Sequence, residues 1–158
     1  MMALKIIQIV WYSMLPIFEL RLALPMAYFK YGFNIYESFF IAIIGNMIPI
    51  IFVLYFLTWL ETILCRFTFF RKIFNWIYRH SEKAFSKNYE KWGKLGLVIF
   101  VGIPLPMTGA WTGAIASTIF KIKPKEAFWL IFCGVVLAGI IVSSICVLYS
   151  NLALKWFF

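Results

Sequence analysis

Residues 95–125 read LGLVIFVGIPLPMTGAWTGAIASTIFKIKPK. The stretch 95–120 is apolar and long enough to cross a bilayer, for which about 20 residues suffice. Yet Gly102, Pro104, Pro106, Gly109 and Gly113 crowd its centre, and two prolines one residue apart do not fit a continuous helix. Thr108, Trp111 and Thr112 add polar groups at the same place, and Lys121, Lys123 and Lys125 follow directly. Upstream, segment 66–94 carries eight Lys and Arg residues. Cytoplasmic loops hold the Lys and Arg excess of membrane proteins. A crossing segment would put these two basic clusters on opposite sides, whereas one that dips in and returns keeps both in the cytoplasm. The sequence therefore predicts a re-entrant hairpin over 95–120.

Working outward, the composition agrees with a membrane setting. The chain has 158 residues, 64% of them hydrophobic, and a mean hydropathy of +0.91, which excludes an ordinary soluble domain. Its apolar runs are continuous rather than alternating, so helices are expected and not a barrel. The +9 charge, from fifteen Lys and Arg against six Glu and no Asp, gathers between apolar runs. A membrane surface with anionic headgroups is thus the expected partner, and nucleic acid is not. Cys65, Cys133 and Cys146 are isolated, and no metal or redox role is expected.

The N-terminal stretch Pro16-Ile-Phe-Glu-Leu-Arg-Leu-Ala-Leu-Pro25 sets Glu19 and Arg21 between two prolines inside an apolar run. A charge at bilayer depth costs about 3 kcal/mol and is rarely idle. Residues two apart on a helix face different ways, so Glu19 and Arg21 each need another partner: a second polar segment, water or substrate. The alternative is an interfacial loop in which both sit in water. Lys5 before an apolar run resembles a signal peptide, but no small-residue cleavage site precedes Glu19, so mature protein is expected. Segment 3–30 is predicted as a first re-entrant half that turns near residues 19–25.

Residues 34–61 form a predicted transmembrane helix interrupted by Gly45, Asn46 and Pro49. Gly45 permits close helix approach, and Asn46 needs a hydrogen-bond partner, either as a packing notch or as part of a site lining. Segment 66–94 repeats aromatic residues at near-helical spacing opposite the stripe Arg79, Lys83, Lys87 and Lys91. It predicts a cytoplasmic amphipathic helix in the interface, the alternative being a docking surface for a protein partner. Pro124 opens the last transmembrane helix, 124–153, with Glu126 in its first turn. One domain, 1–158, results: an all-α integral membrane protein of the cytoplasmic membrane, with an inverted-topology repeat of two re-entrant hairpins each followed by a transmembrane helix. Transporters build alternating-access sites in this way.

Catalytic motifs and cofactor-binding loops are missing from the sequence, so no enzyme and no cofactor are expected. Glu19-Leu-Arg-Leu-Ala-Leu-Pro25, Gly45-Asn46 with Pro49, and Gly102-Ile-Pro-Leu-Pro-Met-Thr-Gly-Ala-Trp-Thr-Gly113 resemble the small multidrug export protein family. That family is similar to the DedA (VTT-domain) membrane proteins, although Leu22 stands where the first motif has glycine. The resemblance covers nearly the whole chain. It implies paired re-entrant loops and, through DedA proteins, translocation of polyprenyl-phosphate (undecaprenyl phosphate) carrier lipid. The expected substrate site comprises Glu19, Arg21, Pro25, Asn46, Pro104, Pro106, Thr108, Trp111 and Thr112, with Arg21 gripping an anionic headgroup and Glu19 carrying any coupled proton. Two alternatives stand beside lipid translocation: proton-coupled efflux of small amphiphilic or cationic compounds (multidrug export), with Glu19 and Trp111 as ligands for a cation, and a non-transporting role in membrane integrity or assembly. A homodimer is expected, because two spanning helices wall a polar site thinly.

Overall fold

The computed structural model describes residues 2–64, 89–105 and 108–157. Regular structure among them is entirely helical: α1 (Met2–Met14), α2 (Glu19–Pro25) running into a π-helical turn (Met26–Lys30), α3 (Ile35–Leu64), α4 (Tyr89–Gly102), α5 (Ala110–Ile119) and α6 (Pro124–Phe157). Two stretches, Ile35–Leu60 in α3 and Pro124–Leu152 in α6, are long and apolar enough to cross a membrane. At 1.5 Å per residue each exceeds the roughly 30 Å hydrocarbon core. Helices α1 and α4, of 13 and 14 residues, reach only about 20 Å.

Local sequence sets these boundaries. Asn34 Oδ1 accepts from the Glu37 amide at 2.8 Å, and Glu37 Oε2 accepts from the Asn34 amide at 3.1 Å. This reciprocal capping box satisfies two donors at the start of α3. At the end of α5, Lys121 adopts φ +54°, and the amides of Lys121 and Ile122 close onto the Thr118 and Ser117 carbonyls. That is the Schellman pattern, which stops a helix without leaving carbonyls bare. Within the apolar helices, Thr58 and Ser144 donate to carbonyls one turn back, those of Leu54 and Ile140. Their hydroxyls thereby meet no hydrocarbon unpaired.

The two long helices run antiparallel. Tyr36 and Phe39 of early α3 share a groove with Ser143 and Leu148 of late α6, while Leu54 and Tyr55 share one with Pro124 and Phe128. Each is preceded by a hairpin that returns to its starting level. In the first, Lys5 Nζ donates to the Tyr31 carbonyl at 3.3 Å and the Tyr31 hydroxyl to Gln8 Oε1 at 3.0 Å, joining the hairpin's two ends. In the second, Lys94 pairs with Glu126 at 2.7 Å, so α4 begins beside the start of α6. The first arms pack on their own long helix, α1 on α3 and α4 on α6, and the second arms, α2 and α5, pack on both.

Glycine makes the two arm–helix crossings possible. A Cβ on Gly45 would stand 2.8 Å from Ser13 Cβ and 3.0 Å from the Val10 backbone. One on Gly134 would stand 2.6 Å from Val101 Cβ and 2.9 Å from the Val98 carbonyl. Small residues at such seams let helices gain van der Waals contact where lipid gives no hydrophobic drive. Gly45→Val and Gly134→Val are each expected to lower stability by about 1–3 kcal/mol. Gly96→Val, with nothing within 4 Å of the added Cβ, is expected to lose far less. Thermal unfolding of the three purified variants checks this.

The structure moves two sequence boundaries. The first hairpin turns at residues 15–18, not at 19–25; Glu19–Pro25 is itself the returning helix. Pro16 lacks the donor that would continue α1, whereas Pro25 ends its helix and a widened π turn, Met26–Lys30, follows it. Likewise residues 89–94 continue without a break into 95–102 as α4. Arg79, Lys83, Lys87 and most of the basic segment lie outside the described residues, as does the Lys91 side chain.

Candidate functional site

The two hairpin tips meet. Glu19, the first residue of α2, has φ +45°, an uncommon backbone state for a residue with a side chain. Its side chain is 7% exposed and reaches the first turn of α5, where the Trp111 amide donates to Oε1 at 3.3 Å. The first amides of a helix have no internal partner and carry the positive end of its dipole. Glu19 caps α5 from the other half of the chain.

Gly109 explains how it gets there. It occupies the N-cap position of α5, and a Cβ there would fall on the Glu19 carboxyl. The N-cap residue thus gives up its own side chain and the carboxylate takes that place. Thr112 completes the turn, its hydroxyl accepting from the Gly109 amide at 2.8 Å. The Trp111 indole N–H reaches back to the Met14 carbonyl at 3.2 Å, fastening the tips a second time.

Arg21 makes the other link. Its Nη2 donates to Thr108 Oγ1 at 3.1 Å, one of five donors on the guanidinium. The Thr108 hydroxyl in turn points at the Ile103 and Leu105 carbonyls, 2.8 and 2.9 Å away, which also accept from the Leu105 and Thr108 amides at the break in the helix. Each member of the charged pair thus bonds to the second hairpin. Between the tips lies a cleft of about 520 Å³, walled by Pro16, Ile17, Phe18, Leu22 and Pro104 and bearing Glu19, Arg21, Thr108 and Thr112.

The structure gathers Glu19, Arg21, Pro104, Thr108 and Thr112 at this cleft and leaves other expected residues away from it. Pro25 lies at the C-terminal end of α2 and lines no part of the cleft. Trp111 acts through its two N–H groups as a fastener, so its ring is not a cleft wall. Asn46 sits behind the cleft, 2% exposed, against a much smaller void. Pro106 falls outside the described residues. Gly109 was missed as a site residue; the signal was a glycine directly before Ala-Trp-Thr, an N-cap without a side chain. Ile17, Phe18 and Leu22 were missed because nothing separates cleft-lining from lipid-facing apolar residues in a sequence. Among the described residues no group of three His, Cys, Asp or Glu side chains converges to hold a metal.

Searches of curated proteins and of solved structures give no match. The family model described as "Putative small multi-drug export protein" matches residues 19–141, from the capping glutamate of the first tip to the middle of α6. With most of its length matched and two helices fit to cross a bilayer, the chain belongs to that family of membrane proteins.

Proposed function

We propose that the chain is a small transporter, a carrier and not a catalyst, that moves an anionic amphiphile through the cleft between its hairpin tips. The observation that carries this reading is the difference between the two charges. Glu19 is buried and bonded to backbone amides, whereas Arg21 is part-exposed and lines the cleft. A guanidinium in an apolar cleft suits a phosphate or similar headgroup, with Thr108 and Thr112 beside it and apolar walls for the tail. Lipid phosphates of the polyprenyl type are the favoured class. A second reading, export of small amphiphilic or cationic compounds, fits the words "multi-drug export" in the family description.

Both hairpins enter the membrane from the side to which they return, giving an inverted repeat with the site near the midplane, as in transporters with broken helices. The basic clusters at 66–94 and 121–125 then share the cytoplasm of a cytoplasmic-membrane protein. The outer wall of the cleft is completed by a second copy of the chain. In a cysteine-free background, single cysteines at Lys83 and Lys123 are expected to label from one side and one at Asn34 from the other. Labelling of Lys83 and Lys123 from opposite sides would overturn the arrangement. In reconstituted vesicles, protein-dependent translocation of a fluorescent lipid phosphate, with none of a lipophilic cation, is the expected result; the reverse pattern selects the second reading.

A further inference from the structure

Behind the cleft lies a void of about 10 Å³, bounded by Glu19, Arg21, Asn46, Gly109 and Ala110 and by the apolar Leu20, Val101, Val135 and Ala138. This is the room one water molecule takes, given polar partners. Asn46 supplies one. Its side chain is 2% exposed on α3, and its Oδ1 has no hydrogen-bond partner among the described residues. A buried carbonyl oxygen left unmatched costs about 1–3 kcal/mol, so its place beside the site's one carboxyl calls for a physical reason.

We propose that Asn46 is a positioning residue for Glu19: one water in the void links Asn46 Oδ1 to the Glu19 carboxyl and holds the proton that Glu19 takes up. The inference rests on the reading of Glu19 as the protonatable group of the transporter. The balance is simple. An ionised Glu19 accepts from the Trp111 amide at the start of α5. A proton arriving from water in the cleft makes the carboxyl neutral and gives it an O–H to donate. That O–H cannot donate to an amide N–H, so it turns to the bound water, which donates onward to Asn46 Oδ1. The cap on α5 weakens as the bond toward α3 forms, and the second tip is loosened by the same proton. Nothing else that faces Glu19 does this work. Arg21 is the charged neighbour on α2 and has no acceptor. Around the void α4 offers Val101, the start of α5 offers backbone from Gly109 and Ala110, and α6 offers Val135 and Ala138.

The test is infrared difference spectroscopy between acid and alkaline pH on the full chain in lipid vesicles. The native protein is expected to show a protonated-carboxyl band that Glu19→Gln removes. Asn46→Thr keeps an acceptor and Asn46→Val, of the same shape, removes it. The Glu19 band is expected near its native position in Asn46→Thr and shifted to higher frequency, as for a carboxyl with no acceptor, in Asn46→Val. Identical band positions in the Thr and Val variants would overturn the proposal, as would a native protein with no band that depends on Glu19. The readout involves no transported compound, so its outcome is separable from that of the transport reading.

Discussion

Gly109→Ala is expected to destabilise the protein strongly on its own and to cost little once Glu19 is also alanine. The added methyl occupies the place of the Glu19 carboxyl, which is pinned against the start of α5. Pushed off, the carboxylate is a buried charge without its donors and α5 loses its cap. Breaking one side of such an arrangement costs about 3 kcal/mol or more. In the Glu19→Ala background the three atoms nearest the methyl are gone, and the remaining penalty is the small preference for glycine over alanine at an N-cap, on the order of 1 kcal/mol. A double-mutant cycle on thermal or denaturant unfolding measures the coupling. Additive losses would mean that the carboxyl and Gly109 do not share one place, and the tip junction would fall.

The largest functional loss is expected from Arg21→Gln. A charge-assisted bond to an anionic headgroup contributes about 1.5–3 kcal/mol, so affinity for a lipid phosphate should fall by roughly 10- to 150-fold. Arg21→Lys is expected to recover only part, since lysine keeps the charge and loses the planar donor fork. Glu19→Gln should leave lipid-phosphate binding intact while abolishing any dependence of transport on a proton gradient. The cation-export reading inverts the order: Glu19→Gln would then lose binding and Arg21→Gln would keep it. Isotherms on the purified variants distinguish the two.

Much of this was legible in the sequence because charge and proline are costly in an apolar run. Glu19 and Arg21 announce themselves that way, and the break around Pro104 follows from two closely spaced prolines. Helices α3 and α6 are evident from length and hydropathy. What the sequence hides is pairing at long range. Glu19 plainly needs a donor, but the Trp111 amide lies 92 residues away, and a backbone donor has no side chain to reveal it. Proline also misleads about position. Pro25, at the end of its helix before a π turn, does not make the bend that Pro16 helps to make. Asn46 shows the limit from the other side: its need for a partner is readable, while the void that answers it exists only when α2, α3, α4, α5 and α6 are packed together.

The central claim, an anion site between two tips with Arg21 as the exposed charge, is tested most directly by competition binding on the native protein. Two amphiphiles with the same hydrocarbon tail, one headed by phosphate and one by quaternary ammonium, compete for the purified chain in neutral detergent. The phosphate compound is expected to bind at least tenfold more tightly, with the preference lost in Arg21→Gln. Tighter binding of the ammonium compound, or a phosphate preference that survives in Arg21→Gln, would contradict the account.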